Sequence, residues 1–378
     1  MELKELKEKP VRRVVVKVGS STLTSPDGSL NRDNMARLVG QIAHIIDTAG
    51  CQMILVSSGA VAAGMGRLGW QRASITVPEK QAAAAVGQGL LVDAYERLFT
   101  ERGRTIAQLL LTRSDVANRR RFIHIRNTLE TLLRHGIVPV INENDTVAVD
   151  EIRFGDNDTL AALVALSADA DLLMLLTDID GLYTGNPRIH KAATKVADVY
   201  EITAELEALA GEAGSNLGTG GMRTKLQAAR MAVSAGIQVV IASLEDDQAL
   251  AKAVAGESVG TVFHAAANAL PRKKLWIAHG SRVQGQIVID SGAIAAVQDG
   301  TGSLLVPGVT RVEGNFGEGA VVEFMDEQGT LVGKGVVSLS AADLRMVLQQ
   351  KAAGPRLNPL PALIHRNEMV VWKAGRLV

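Results

Sequence analysis

Short runs of apolar and β-branched residues alternate along the first two thirds of the chain with longer stretches in which apolar residues recur at helical spacing. The short runs predict strands, at residues 11–18, 52–56, 105–111, 137–141, 171–176, 237–241 and 259–263. The longer stretches predict helices, at 31–49, 79–100, 118–135, 160–168 and 226–235. Apolar strands that alternate with helices are typical of a mainly parallel sheet covered on both faces. The pattern therefore predicts an α/β fold, a three-layer α-β-α sandwich.

The pattern changes towards the C-terminus. Residues 264–274 are typical of a linker, and beyond them short apolar runs are separated by glycine-rich turns. These runs predict strands, at 285–290, 303–306, 319–325 and 333–338, with one short helix at 293–298. Many short strands with glycine turns indicate a small, mainly β barrel. We therefore expect two domains, at residues 1–268 and 275–378.

Polar residues follow the first two predicted strands at their carboxyl ends. Lys17 lies inside the first apolar run, and Gly19 and three hydroxyl residues follow it. A buried ammonium requires a partner charge or a polar cavity, and the loop after it offers a cradle for an anion. The alternative is an edge-strand lysine whose amine reaches solvent. Ser58 follows the second strand, and α/β proteins bind ligands at this edge of the sheet.

The densest polar stretch of the chain follows the strand at 137–141. Residues 142–145 are Asn, Glu, Asn and Asp, and residues 156–158 are Asp, Asn and Asp before a helical pattern. Residues 146–154 alternate between polar and apolar, which predicts a hairpin able to fold back over its base. Asx residues are also frequent in turns and at helix N-caps. That alternative fits 156–158, but it fits four polar residues at the end of a buried strand poorly, so we expect both clusters to face one pocket.

A glycine-rich segment at 217–225 precedes the helix predicted at 226–235. Glycines at a helix entrance free backbone N–H groups to bind an anion, and the helix dipole and Lys225 add positive potential. The alternative is a flexible linker, which leaves Thr219, Thr224 and Lys225 unexplained. The segment therefore predicts a phosphate-binding loop.

A second glycine pattern, at residues 64–69, matches the dinucleotide-binding sequence G-x-G-x-x-G. It lies well beyond the end of the preceding strand, and no helical pattern begins within it, so the match is weak. We expect a flexible loop here. A dinucleotide-dependent oxidoreductase is correspondingly disfavoured.

Composition excludes several classes of function for this chain of 378 residues. Lysine and arginine total 40, as do aspartate and glutamate, so no net charge points to nucleic acid or to an anionic membrane. A single cysteine, Cys51, allows no disulfide within the chain and suits a reducing compartment. Residues 1–10 lack the apolar segment of a secretory signal, and the apolar runs are too short to span a bilayer. We expect a cytoplasmic protein.

The polar strand ends and the two lysines suit a nucleoside triphosphate. Thr177 and Asp178 follow the strand at 171–176 and add a further polar strand end. Phosphoryl transfer requires charge neutralisation and in-line positioning more than a nucleophilic side chain. The carboxylates could hold Mg²⁺ directly or through water, or hold the lysines in place. No residue is firmly assigned as a metal ligand.

Six segments, VVVKVGSS, ILVSSGAVAAG, VPVINEND, FGDND, LLTDIDGLYTGNP and GTGGMRTK, resemble the signature segments of the glutamate 5-kinases, in the amino acid kinase family. The barrel predicted from about Lys274 onward resembles the PUA domain that many bacterial members carry. The resemblance implies the amino acid kinase fold. It also implies transfer of the ATP γ-phosphoryl group to the side-chain carboxylate of L-glutamate, giving L-glutamyl 5-phosphate in the first step of proline synthesis.

The resemblance also implies roles for individual residues. Lys17 and Lys225 would stabilise the transferring phosphoryl group, and Asp158 would orient both lysines. The implied glutamate-binding residues are Ser58, Asn142, Asp145 and Asn157. The implied ATP-binding residues are Lys17, Gly19, Thr177, Asp178, Thr219, Gly220, Gly221, Met222, Arg223, Thr224 and Lys225.

Further partners follow from the same resemblance: Mg²⁺ with ATP, L-proline as feedback inhibitor, and a second copy of the chain in a dimer or tetramer. The hairpin at 146–154 becomes a candidate lid over glutamate. The nearest alternatives are an N-acetylglutamate or aspartate kinase, which the NEND segment and the PUA-like barrel disfavour. An RNA-binding protein acting through the barrel is a further alternative. The barrel's nearly balanced charge and few aromatic residues make RNA binding unexpected.

Overall fold

A computed structural model describes most of the chain, in two compact units that divide between Ala269 and Leu270, with Ala117–Arg119 grouped with the second. The described residues are 10–25, 27–70, 75–147, 157–185, 187, 190, 192–212, 221–266, 269–300, 302–353, 362–373 and 376–377. The division falls within the segment expected as a linker, and the limits 1–268 and 275–378 stay a prediction. Within the described ranges, no helix combines the length and apolarity needed to cross a membrane.

The first unit is built on an eight-stranded sheet in the order β3-β4-β2-β1-β5-β9-β10-β8. Its strands are parallel except for the antiparallel pair β9 and β10. β6 and β7 pair separately as a short antiparallel ladder. The strands of this unit are β1 Arg13–Val18, β2 Gln52–Val56, β3 Ile106–Leu111, β4 Val138–Glu143, β5 Leu172–Thr177, β6 Leu182–Tyr183, β7 Lys195–Val196, β8 Asp198–Val199, β9 Gln238–Ser243 and β10 Thr261–Phe263.

Ten helices accompany these strands among the described residues of the first unit, and capping residues mark the ends of several. α2 begins after Asn31, whose side chain accepts a hydrogen bond from the Asn34 N–H, and it ends at Gly50 in the left-handed conformation. The helices are α1 Ser20–Leu23, α2 Arg32–Ala49, α3 Ala60–Leu68, α4 Val77–Thr100, α5 Arg113–Ala117, α6 Arg119–Arg134, α7 Asn157–Ala168, α8 Ala204–Glu212, α9 Met222–Ser234 and α10 Ala249–Ala255.

Helices cover both faces of this sheet. Val14 and Val16 of β1 join a buried cluster with side chains of α2, α4 and α10. Val15, which points to the opposite face, is equally buried, and α7 contacts β1, β2, β4 and β5 while α9 contacts β9. The central strands are therefore buried on both sides, which explains their continuous apolar sequence. The predicted three-layer α/β fold with a mainly parallel sheet is confirmed.

The prediction of a flexible loop at residues 64–69 is wrong. Residues 64–68 lie in α3, and Gly69 ends that helix in the left-handed conformation. A β-carbon on Gly64 would lie 1.8 Å from the carbonyl oxygen of Ala83, and one on Gly87 would lie 1.8 Å from that of Ala60. The backbones of α3 and α4 therefore touch directly. Glycine at these positions allows this close packing, although it lowers the intrinsic tendency to form a helix.

The second unit contains a six-stranded sheet in the order β12-β11-β13-β14-β15-β16. β11 and β13 are parallel and the other neighbours are antiparallel. Its strands are β11 Val283–Ile289, β12 Val309–Gly314, β13 Val321–Met325, β14 Leu331–Val336, β15 Met369–Lys373 and β16 Arg376–Leu377. Its helices are α11 Arg272–Leu275, which leads into a π-helical turn Trp276–Gly280, α12 Ser291–Gln298 and α13 Ala341–Ala353.

Two features of the second unit differ from the sequence expectation. The strand predicted at 303–306 is wrong: Leu304 makes one isolated bridge to Ile364, and the chain then enters a 3₁₀ turn at Val306–Gly308. Pro307 in that turn has no N–H to donate to a ladder. The helix α13 was not predicted at all. Leu344 in α13 is nevertheless fully buried in the core of this unit.

The contact between α3 and α4 yields a stability prediction. We expect Gly64→Ala to lower the free energy of unfolding by about 1–3 kcal/mol, because the added methyl group meets backbone that cannot move away cheaply. Denaturant unfolding followed by circular dichroism measures the change.

Gly89→Ala is the matched control, because it lies on α4 where an added β-carbon meets no atom within 4 Å. It should be neutral or slightly stabilising. Equal stability of the two variants would contradict the close helix contact.

Candidate functional site

The carboxyl ends of β4, β2, β1 and β5 meet at one edge of the sheet, because these strands are neighbours and parallel. Lys17 is level with Val56 of β2 and with Leu175 of β5. Ser58 therefore lies just beyond the end of β2, and Thr177 ends β5. The sheet topology brings together polar strand ends that are far apart in the sequence.

A buried carboxylate, Asp158, connects two lysines at this edge. Its Oδ1 lies 2.5 Å from Lys17 Nζ, and its Oδ2 lies 3.2 Å from Lys225 Nζ. All three residues are almost completely excluded from solvent: Asp158 is 0% exposed, Lys17 5% and Lys225 6%. The group joins the end of β1 to the first turns of α7 and α9. Together the three side chains carry an excess of one positive charge.

The hydroxyl of Thr224 is the third group on this carboxylate. It lies 2.9 Å from Asp158 Oδ2 and 2.8 Å from the carbonyl oxygen of Gly221, the N-cap residue of α9. The sequence resemblance places Thr224 among the ATP-binding residues. In the structure its side chain faces the carboxylate, so it holds Asp158 and the start of α9 together.

The pKa of Asp158 is set by two opposing influences. Burial of the carboxyl group favours its neutral form, but the adjacent ammonium groups of Lys17 and Lys225 favour the ionised form. Their attraction, with the hydrogen bonds from Lys17 and Thr224, leaves the pKa below its ordinary value. Asp158 is therefore ionised at neutral pH.

A second polar network surrounds Asn157, the residue before Asp158. Its Nδ2 lies 2.8 Å from the carbonyl oxygen of Ser57, 2.8 Å from Ser58 Oγ and 2.9 Å from Asn142 Oδ1. Asn142 is buried at the end of β4. Three residues that the resemblance assigns to glutamate, Ser58, Asn142 and Asn157, are thus in direct contact.

Two residues of this network come from α4 and were missed by the sequence reasoning. Gln88 Oε1 accepts a hydrogen bond of 2.8 Å from Asn142 Nδ2, and Tyr95 Oη lies 2.9 Å from Ser57 Oγ. Complete burial raises the pKa of the Tyr95 hydroxyl, which stays neutral. No local pattern signals either residue, since their partners lie 54 and 38 positions away in the chain.

Asp145 and the residues after it lie at the border of the described chain. Asp145 is half-buried in the turn that follows β4. Asp156 and most of the predicted hairpin at 146–154 lie outside the described residues, so the lid stays a prediction.

The residues expected to bind ATP occupy two further parts of the edge. Thr177 is buried at the end of β5 and donates a hydrogen bond of 3.0 Å to the exposed Asp178. A β-carbon on Gly19 would lie 3.8 Å from Lys17 Nζ, so the loop after β1 passes close to this amine.

The glycine-rich segment is described only from Gly221 onward, and Thr219 and Gly220 lie outside the described residues. Gly221 is the N-cap residue of α9, and no side-chain hydrogen bond caps the helix there. Met222 is buried and Arg223 is exposed. The first N–H groups of α9 and Lys225 therefore lie at the same end of the helix, where the dipole is positive.

A metal ion would receive little from the described part of the protein alone. In the residues that the structure describes, no group of three or more His, Cys, Asp or Glu side chains could hold one. Mg²⁺ commonly binds through substrate phosphates, waters and one or two carboxylates instead of a protein cage. The exposed carboxylate of Asp178 fits that second arrangement.

Removal of the central charge gives a test of this geometry. We expect Asp158→Asn to lower the free energy of unfolding at pH 7 by about 3–5 kcal/mol, because two buried ammonium groups lose their counter-charge. The folded-state pKa is lower than the ordinary value of 3.8, so the stabilisation is complete above that pH and is lost as the pH falls through the lowered pKa. Denaturant unfolding at pH 7 and at pH 3 should therefore show a smaller difference at pH 3.

The control for this variant is Asp93→Asn, which removes an exposed helical pair with Arg97. This substitution should lower the free energy of unfolding by less than about 1 kcal/mol. An equally small decrease for Asp158→Asn would show that burial of the two lysines does not require the charge of this carboxylate.

Comparison with known proteins identifies the family. The model of the amino acid kinase family matches residues 12–243, and that of the PUA domain matches residues 285–356. A glutamate 5-kinase of Moorella thermoacetica is 49% identical over 95% of this chain and 96% of its own length. One from Carboxydothermus hydrogenoformans is 50% identical over 89% and 90%, and one from Caldanaerobacter subterraneus is 44% identical over 96% and 98%. The chain therefore belongs to the glutamate 5-kinases of the amino acid kinase family, and it carries a C-terminal PUA domain.

Proposed function

We propose that the protein transfers the γ-phosphoryl group of ATP to the side-chain carboxylate of L-glutamate, giving L-glutamyl 5-phosphate and ADP in the first step of proline synthesis. The observation that carries the proposal is the buried group of Lys17, Asp158 and Lys225 at the carboxyl edge of the sheet. Two lysines held by one carboxylate suit a polyanionic reacting group. Two of the relatives named above are 49% and 44% identical to this chain over nearly its whole length.

The proposed chemical step needs no nucleophilic side chain from the protein. A carboxylate oxygen of glutamate attacks the γ-phosphorus, and the bond from that phosphorus to the β,γ-bridging oxygen breaks, with the electron pair leaving on ADP. No proton needs to be removed from the nucleophile, because the carboxylate is already ionised at neutral pH. Catalysis then depends on positioning and on neutralising the charge of the transferring group. Lys17 and Lys225 neutralise that charge, and Asp158 keeps both amines in place.

The glutamate side of the site is the network around Asn157. Ser58, Asn142 and Asn157 supply hydroxyl and amide groups beside β2 and β4, and the half-buried Asp145 adds a carboxylate. Donors suit the carboxylates of glutamate and acceptors suit its ammonium group. Asn157 and Asp158 are adjacent, so substrate and phosphoryl sites meet at the first turn of α7.

The nucleotide side is formed by Gly19, by Thr177 and Asp178, and by the segment 219–225. The start of α9 offers N–H groups and the positive end of a dipole to the phosphates. Mg²⁺ would accompany ATP in this proposal and would supply further positive charge to the phosphates. Asp178 would hold it through water.

Several wider expectations rest on the family resemblance alone. We propose a cytoplasmic enzyme that assembles as a dimer or tetramer and is inhibited by L-proline at or beside the glutamate site. RNA binding by the PUA domain is possible for such a module but is not expected here, because the charge of this unit is nearly balanced.

A turnover assay tests the proposed substrate. We expect ADP formation with ATP and L-glutamate, little with N-acetylglutamate or L-aspartate, and inhibition of the glutamate reaction by L-proline. A coupled assay of ADP release, with hydroxamate trapping of the acyl phosphate, measures both products. Preference for N-acetylglutamate or aspartate would move the protein to another branch of the amino acid kinases.

A single substitution tests the role of the second lysine. We expect Lys225→Met to lower kcat about 100-fold or more, because its charge is needed most when charge builds up in the transition state. The KM for glutamate should change much less. Methionine fills a similar volume, so the variant should stay folded. Steady-state kinetics with both substrates varied measures the effect.

Lys252→Met, in α10, is the control, because it removes a lysine whose carboxylate partner is Asp246 on the surface of the same unit. It should leave kcat unchanged. Unchanged turnover in Lys225→Met would remove that lysine from the mechanism.

A further inference from the structure

We infer that Gln88 is a positioning residue for the amino acid substrate, acting through Asn142 and Asn157. The inference rests on the proposed function, since it names a residue that sets the glutamate side of that site. Gln88 lies on α4, half-buried, and is distant in sequence from every segment that resembles a signature motif. Its contact with Asn142 begins a chain of amide groups that ends at Asn157.

The first link is fixed by a backbone donor. Asn142 Oδ1 accepts a hydrogen bond of 2.8 Å from the N–H of Glu143. A backbone N–H only donates, so this end of the Asn142 amide is its oxygen. The nitrogen is then the end that faces Gln88, and it donates to Gln88 Oε1 at 2.8 Å. Gln88 therefore supplies the acceptor that the Asn142 amide requires in this orientation.

The second link is fixed by a backbone acceptor. Asn157 Nδ2 lies 2.8 Å from the carbonyl oxygen of Ser57, which can only accept. The same nitrogen donates to Asn142 Oδ1 at 2.9 Å. The hydrogens of the Asn157 amide thus face Ser58 Oγ and two oxygens that can only accept. Its Oδ1 accepts no hydrogen bond from the described residues and is the end available to a ligand.

The end of the Asn157 side chain that can contact a ligand is therefore a hydrogen-bond acceptor, Oδ1. At neutral pH the carboxylates of glutamate accept hydrogen bonds, and its ammonium group is the donor. The geometry points to Asn157 Oδ1 as a partner of the α-ammonium group. Loss of the acceptor on Gln88 leaves the Asn142 nitrogen without that partner. The Asn142 amide is then held less firmly, and so is its contact with Asn157.

The position of Gln88 is itself well determined. The preceding residue, Gly87, contacts the backbone of α3 so closely that a β-carbon there would lie 1.8 Å from the Ala60 carbonyl oxygen. α3 begins directly after Ser58 and Gly59. The helix that carries Gln88 is therefore held against the loop that carries Ser58.

Kinetics of Gln88→Met separate positioning from a purely structural role. Methionine keeps the length of the side chain but offers only a weak acceptor. Loss of one amide hydrogen bond to a group that orients the substrate corresponds to roughly a 5- to 10-fold weaker binding of that substrate. We therefore expect the KM for glutamate to rise by that factor. The KM for ATP and the melting temperature should stay near those of the parent protein. Gln88→Glu, whose carboxylate still accepts from Asn142, should restore the KM for glutamate.

A double-mutant cycle identifies the route of the effect. Asn142→Ala will itself raise the KM for glutamate, and Gln88→Met should add nothing in that background, because residues acting in series are not additive. Gly89→Ala is the matched control on the next residue of α4, where the added methyl group meets no atom within 4 Å. It should leave both KM values unchanged.

The outcomes separate this inference from the proposed function. A parent protein without glutamate-dependent ADP formation overturns the proposed function. An active parent with an unchanged KM for glutamate in Gln88→Met overturns the positioning role alone. Additive effects with Asn142→Ala, or equal loss in Gln88→Glu, also overturn it. A Gln88→Met protein that does not fold overturns it too, because Gln88 would then be a structural residue.

Discussion

The carboxylate of Asp158 satisfies two buried ammonium groups at once, and the positions of three chain segments depend on it. Burial of either ammonium group without a counter-charge would cost free energy. Burial of the carboxylate without the lysines would raise its pKa and favour the neutral form. Lys17 comes from β1, Asp158 from α7 and Lys225 from α9. Because only two of the three charges cancel, the group remains attractive to an anion. The same arrangement that makes burial of these charges tolerable therefore also suits the proposed phosphoryl site.

The surrounding fold determines where this charged group can form. β1 lies in the middle of the sheet with β2 and β5 on either side, so Lys17 emerges between two other strand ends. α7 and α9 cover the same face and contact each other, and their first turns meet at Asp158. The polar network proposed to bind glutamate is built on the neighbouring ends of β2 and β4. The proposed substrate and phosphoryl sites adjoin because Asn157 and Asp158 are consecutive residues.

Much of this was predictable from sequence, for reasons that differ between residues. Lys17 was identifiable because a charge within an apolar strand needs a partner. Asn142 was identifiable because polar residues at the end of a buried strand lie where α/β proteins bind ligands. The resemblance then named Asp158 as the link between the lysines. The contact of Gln88 with Asn142 could not be predicted, since a glutamine within a helix carries no local signal. The same holds for residues 64–68: a glycine lowers helix propensity, and the packing that outweighs it depends on a second helix.

The direct contact between α3 and α4 fixes the relative positions of two helices that border the proposed substrate site. α3 starts one residue after Gly59 and carries the loop of Ser58, while Gly87 in α4 immediately precedes Gln88. With no side chains between the two helices at Gly64 and Gly87, there is no rotamer freedom at this crossing to absorb a displacement. The separation between Ser58 and Gln88 is consequently set by a contact of backbone against backbone. Two glycines outside the proposed substrate site thus fix the spacing between two of the residues from which that site is built.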